Sequence, residues 1–289
     1  ACSKQSFVTC AICDNPLLEY TDYFPDSSFK APASLRGHHA SMARISSGSS
    51  WCVPNSGHNH YLEVDLRSRF VITNVATFGD STTGKWVTSY YLNYTDDMIQ
   101  WKQASTDNKE IFRGNKNAYN YAAIRQVDGG ITARAVRFIP LNSVAQACMR
   151  FQLCGKSILP GRPYNLTFGK ITPRSAELLW SDPVIDTTER VYQVWIKLKR
   201  DNELVNDLKS SYAAKNKYLI NDLAPFTKYE VSVAFKNRNG FGKSTSIMFT
   251  SGEDGKLIKT WCIIISDILF PADKLMGYKT AQTLNIIIS

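Results

Sequence analysis

The sequence contains no apolar run long enough to cross a bilayer as a helix. Its most apolar stretch, Trp261 to Phe270, is about half of the ~20 residues required and is broken by Asp267. It lacks a Gly-x-Ser-x-Gly elbow, a phosphate-cradling glycine loop and a His-Glu-x-x-His pair, so no motif points to catalysis, and the chain reads as a non-enzyme. With 16 glycines and 11 prolines it has too little of either for a collagen-like or linker protein. It also lacks a stripe of one charge. The net charge is +9, but residues 1–156 carry 16 basic and 12 acidic side chains, residues 157–252 carry 14 and 9, and residues 253–289 carry four of each. Nucleic-acid binders concentrate their charge, so no nucleic-acid partner is expected. No long amphipathic helix is legible in residues 1–156. No signal peptide precedes Ala1, as expected of a processed chain or a fragment, and the polypeptide is expected to be soluble.

What is present suits two packed domains: 289 residues, 44% hydrophobic and 20% charged. There are seven cysteines: Cys2, Cys10, Cys13, Cys52, Cys148, Cys154 and Cys262. None shows the paired spacing of a zinc module, and Cys10-Ala-Ile-Cys13 lacks the βαβ surroundings of a redox site. Widely separated cysteines together with the sequons Asn93-Tyr-Thr95 and Asn165-Leu-Thr167 point to an oxidising, extracellular setting. The expected location is secreted or extracellular, or the cell surface if the chain is part of a longer one.

The pattern is mostly β. Residues 61–66 alternate, with Leu62, Val64 and Leu66 on one face and Glu63 and Asp65 on the other. Residues 70–78 are β-branched and aromatic. Residues 86–95 place Trp86, Tyr90, Leu92 and Tyr94 on one face and Ser89, Asn93 and Thr95 on the other, and 133–139 and 149–153 repeat the alternation. A boundary falls near Lys156–Gly161. Beyond it, 175–180, 191–199, 217–223 and 228–236 alternate in shorter units, with Tyr192, Val194, Ile196 and Leu198 sharing one face. About seven short strands in ~95 residues suggest an immunoglobulin-type sandwich. Residues 253–289 fit neither pattern and read as an unassigned tail.

Specific blocks sharpen this. Cys13-Asp-Asn-Pro16-Leu17, Ser27-Ser28-Phe29, Ala43-Arg44-Ile45, Ser50-Trp51-Cys52, Tyr61–Leu66, Ala76–Gly79, Trp86–Tyr90, Phe112–Asn115, Ala133–Pro140 and Phe151–Gly155 follow in order. Together they resemble a discoidin domain, also called the coagulation-factor C-type domain, over 13–155. Trp180, Leu223-x-Pro225-x-Thr227-x-Tyr229 and Asn239-Gly240-Phe-Gly242 resemble a fibronectin type III domain over 158–252. This leaves 1–12 as an N-terminal segment and 253–289 as the tail. The order resembles ectodomains of adhesion molecules and receptors. No Arg-Gly-Asp tripeptide occurs, so integrin binding by that route has no support.

The resemblance implies an all-β chain: a distorted eight-stranded jelly-roll barrel followed by an immunoglobulin-like sandwich. It implies a Cys13–Cys154 bridge joining the barrel's termini and a Cys52–Cys148 bridge of the kind that discoidin-domain receptors carry. Cys2 and Cys10 would form a local bridge, leaving Cys262 over, unless Cys2 belonged to an upstream module. The ligand end would be built from the loops 29–42, 79–85 and 113–120, where Lys30, Leu35, Arg36, His38, Lys85, Arg113 and Lys116 combine one apolar tip with cations. A single buried leucine is worth only about 1.5–3 kcal/mol, too little to anchor a membrane, so an extracellular protein or glycan is the favoured ligand and contact with lipid headgroups a weak alternative. His38-His39 and His58-x-His60 lack a third ligand and read as solvated loop histidines, so no metal or cofactor is expected. The leading reading is an adhesion or recognition protein in which the second domain acts as spacer and secondary contact. A lectin or phospholipid-surface binder, a receptor kinase or phosphatase ectodomain and a secreted matrix component remain as alternatives.

Overall fold

The computed structural model describes residues 13–54, 60–119, 122–189, 191, 193–211 and 216–254, and residues up to Asp254 form one compact unit. Cys2, Cys10, Cys262 and His58 lie outside the described residues, as does the segment 255–289. None of the described helices is long and apolar enough to cross a membrane.

The first half is a single eight-stranded antiparallel sheet closing on one core. Its strands are β1 (Phe29–Lys30), β2 (Trp51–Val53), β3 (Leu62–Phe78), β4 (Trp86–Thr95), β5 (Lys102–Gln103), β6 (Ile111–Arg113), β7 (Ala123–Val144) and β8 (Ala147–Ser157). The order is β2-β8-β3-β7-β4-β5, with β1 on β3 and β6 on β4. The two stretches 61–66 and 70–78 are one strand of 17 residues rather than two. A shift of register between Asp65 and Phe70 separates them, with Arg67 at φ 60° and its amide donating to the Asp65 carboxylate. Such a bulge bends a strand without ending it, so β3 serves both sides of the barrel. The 22-residue β7 does the same through its own bulge at 127–130.

The core forms where the inward rows meet. Phe138 packs on Phe151 with ring centroids 4.0 Å apart, and Tyr90 packs on Phe112 and Phe138 at 5.4 and 5.5 Å. Each such fully buried side chain contributes roughly 1.5–3 kcal/mol. A register shift at Ser89 puts Val87 in the core with Tyr90 and Leu92 and leaves Trp86 off that face, correcting the simple alternation. Thr95, expected outside, is buried because its hydroxyl turns the chain, donating to Asp97 and accepting from the Met98 amide. The segment before β1 is strapped down by two buried polar groups. Gln152 Oε1 accepts from the Leu17 and Leu18 amides, and the Arg44 guanidinium donates to the Leu18 and Phe24 carbonyls.

The second half is a two-sheet sandwich. One sheet holds β9 (Tyr164–Ile171), β10 (Ala176–Ser181) and β13 (Lys217–Ile220). The other holds β11 (Gln193–Arg200), β12 (Glu203–Ser211), β14 (Lys228–Asn237), β15 (Gly240–Phe241) and β16 (Thr245–Thr250). Trp180, Leu198, Leu223, Tyr229 and Phe235 lie in its core, and the Ala224 amide donates to the Tyr229 hydroxyl at 2.8 Å, the turn lock that the Leu-x-Pro-x-Thr-x-Tyr spacing implies.

Candidate ligand-binding end of the barrel

β8 starts at Ala147 beside the loop 79–85 and runs to Ser157, where the chain passes toward the sandwich. The loop end is therefore the barrel end remote from that connection. Two disulfides frame the barrel: Cys13 to Cys154 at its start and finish, and Cys52 to Cys148 directly opposite each other on β2 and β8.

Three loops converge here. Asp80, only 2% exposed, collects hydroxyl donors from Ser50 (2.9 Å), Thr82 (2.5 Å) and Thr83 (2.9 Å) and the Thr82 amide (3.0 Å). Burial pushes its carboxyl up, and these donors more than offset that, holding it at about 2. Ser50, at the entry to β2, thus ties that entry to the second loop, 79–85, and His38 of the first loop lies against the Ser50 carbonyl. Gly79 ties the second to the third: a Cβ there would lie 2.7 Å from the Ala118 backbone, so only glycine permits the approach. The Arg150 guanidinium donates to the Gly79 and Ile45 carbonyls and braces both.

The residues expected at the ligand end are distributed unevenly. Arg36, Arg113 and Lys116 are exposed. Lys85 is half-buried, its ammonium donating to Gln146 on the β7–β8 turn at 2.6 Å. Lys30 lies in β1 rather than a loop, in a cross-strand row with Glu63, Arg137 and Asn93 in which Glu63 is buried. Leu35 is half-buried, its amide donating to the Cys52 carbonyl, so it does not project as a spike. The projecting side chain is Tyr119, 66% exposed, which sequence reasoning passed over because nothing local distinguishes an outward tyrosine from an inward one. His38 is half-buried and fixed rather than freely solvated, its Nδ1 lying 2.9 Å from the Ser50 carbonyl.

His38, Cys52 and Asp80 bring ligand-type atoms within 4.8 Å of one another. The set does not suit a metal. Cys52 is oxidised in its disulfide, and the Asp80 carboxylate is already occupied by hydroxyl donors. The arrangement is a brace for loops, and it offers a ligand a rigid rim of cations with one aromatic.

The molecule is thus an eight-stranded antiparallel jelly-roll-like sheet wrapped on one core, with braced loops at one end, followed by an immunoglobulin-like sandwich, a pair of the extracellular type. The F5/8 type C domain model matches residues 27–153 and the fibronectin type III domain model residues 161–251; the chain carries these two domains in that order. It is 28% identical over 148 residues to Neurexin-4 of Drosophila melanogaster, covering 47% of this chain and 11% of that protein, so it spans about a tenth of that relative's length. Among solved structures it is similar to the extracellular domains d3–d4 of rat CD45 (16% identity, 36% of this chain, 55% of that one, TM-score 0.30). It is also similar to a structure described as a myokine (20% identity, 32% and 99%, TM-score 0.29).

Proposed function

We propose that this is a non-catalytic extracellular recognition protein that binds a matrix protein, cell-surface glycoprotein or glycan at the loop end of its discoidin barrel. The observation that carries the reading is the bracing of that end. Cys52–Cys148, the Asp80 hydroxyl network and the Gly79 contact hold three loops in one arrangement, while Arg36, Lys116 and Tyr119 stay outside. Preorganised loops lose little entropy on binding, which is what a recognition surface requires. The sandwich positions this barrel relative to whatever follows it.

Asn93 and Asn165 are the expected glycan acceptors. Asn93 is half-buried, in the cross-strand row with Arg137 and Gln103. Asn165 is exposed at φ 48°, a left-handed conformation asparagine tolerates. Loss of mass on glycosidase treatment of material from a eukaryotic secretory host is the readout for both.

The test of the binding end is adhesion of cells or matrix extract to the wild type, to Arg36→Ala/Lys85→Ala and to Tyr119→Ala, at low and high salt. Charge removal should slow association and reduce its salt sensitivity, while Tyr119→Ala should speed dissociation. Equal binding by all three proteins at both salt concentrations moves the site off the loop end.

A further inference from the structure

Beside the loop end, a groove of about 880 Å³ runs along the barrel wall between the β4–β6 pair and the first half of β7. Four cations line it, Lys109, Arg113, Lys116 and Arg125, against one carboxylate, Asp107. None of the four is ion-paired among the described residues, although eight ion pairs exist elsewhere. Trp86 also lines the groove, with its indole nitrogen buried beneath the surface.

Both walls are fixed. On one side, Asp128 accepts from the Ser105 hydroxyl and the Asp107 and Asn108 amides, pinning the turn that carries Lys109. On the other, the Gly114 and Asn115 amides donate to the Thr88 and Val87 carbonyls, and the Asn115 side chain donates to the Thr77 carbonyl. A Cβ at Gly114 would lie 2.4 Å from the Val87 oxygen, so this wall cannot form with another residue there. The exposed edges of Ile111, Ile124 and Val144 complete the lining.

We infer that this groove holds a sulfated polysaccharide chain, with Lys109, Arg113, Lys116 and Arg125 meeting successive sulfates. The inference deepens the recognition reading, on which it rests, by naming a ligand class and moving its centre from the loop tips to the wall. Charge complementarity selects the occupant. Four unpaired cations in one open groove match a ligand that repeats its charge along its length. The isoleucine and valine edges suit the C–H faces of sugar rings. An acidic peptide would instead call for deep side-chain pockets or a long free strand edge, and β6 is only three residues long.

The experiment uses the whole chain and heparin as probe, by resin retention and by titration calorimetry across a salt series. The wild type should bind at physiological salt. Lys109→Ala/Arg113→Ala/Arg125→Ala should lose about 10- to 100-fold in affinity. Its slope of log affinity against log salt should flatten by about two to three. A control that removes the same charge from the sandwich, Lys170→Ala/Lys197→Ala/Lys228→Ala, should bind like the wild type. No heparin binding at physiological salt, or equal loss in the control, overturns the groove. Competition by polyglutamate as effective as by heparin of equal charge overturns the saccharide in favour of an acidic peptide. If heparin fails while cell or matrix adhesion still responds to Arg36 and Tyr119, the loop-end reading survives and the groove assignment falls.

Discussion

Two tyrosines show how the same side chain plays opposite parts. Tyr229 uses its hydroxyl to accept from the Ala224 amide and lock the turn before β14. Tyr90 is fully buried between Phe112 and Phe138, and its hydroxyl finds no partner among the described residues. Burial pushes the Tyr90 hydroxyl far above its usual ionisation range, so it stays neutral. Replacing each by phenylalanine should therefore give effects of opposite sign. Tyr229→Phe strands a backbone N–H and should cost about 1–3 kcal/mol, whereas Tyr90→Phe removes an unpaired polar atom and should be neutral or stabilising by up to about 1 kcal/mol. Denaturant melts decide it. A clear loss of stability in Tyr90→Phe would mean that a water or an unseen partner serves that hydroxyl. The role of Tyr229 was legible in its spacing from Leu223 and Pro225. The orphan state of Tyr90 was not, because it depends on what the strands opposite bring.

At the scale of elements, the loop 79–85 owes its shape to one carboxylate. Asp80 is held at about 2 in the folded barrel, below the unfolded value of about 3.9. A depressed carboxyl contributes its stabilisation above the unfolded value and loses it as pH falls through the folded one, so the window lies between about pH 4 and pH 2. The size is about 2 kcal/mol. The stability difference between wild type and Asp80→Asn should accordingly be constant from neutral pH down to about 4 and shrink below that. A difference that stays flat down to pH 2 would show that the hydroxyl cage does not favour the ionised form. The long strands make a related point. The sequence pattern identified most of β3 and all of β4, but it split β3 in two and caught only 149–153 of β8 and 133–139 of β7; bulges at 66–69 and 127–130 interrupt the period-two signal while the backbone continues.

At the scale of the molecule, the two domains share a residue. Ile185 belongs by sequence to the fibronectin-like half, yet it is 4% exposed within the barrel's hydrophobic core. Around it the Ser157 amide donates to the Asp186 carbonyl, the Thr188 amide to the Ser157 carbonyl, and the Asn237 side chain to the Ile158 carbonyl. Tyr23 and Tyr164 pack with ring centroids 6.0 Å apart across the same seam, beneath Arg162. The sandwich is docked on the barrel along this seam. Ile185→Ala should therefore destabilise the barrel by about 2–4 kcal/mol. Calorimetry of the variant should show the barrel's transition shifting more than the sandwich's. A shift confined to the sandwich would show that Ile185 does not complete the barrel core in solution.

The sequence by itself determined the two domains and their order. Period-two patterning, ordered motif blocks and the turn-lock spacing are local or nearly local signals that survive without coordinates. Only tertiary structure decided the surfaces. Whether Leu35 or Tyr119 projects, whether Lys30 lies on a loop or a wall, and whether four cations scattered between Lys109 and Arg125 line one groove all depend on bulges, cross-links and close backbone contacts. Those features join residues tens of positions apart, and a one-dimensional pattern carries no record of which side chains they leave facing water.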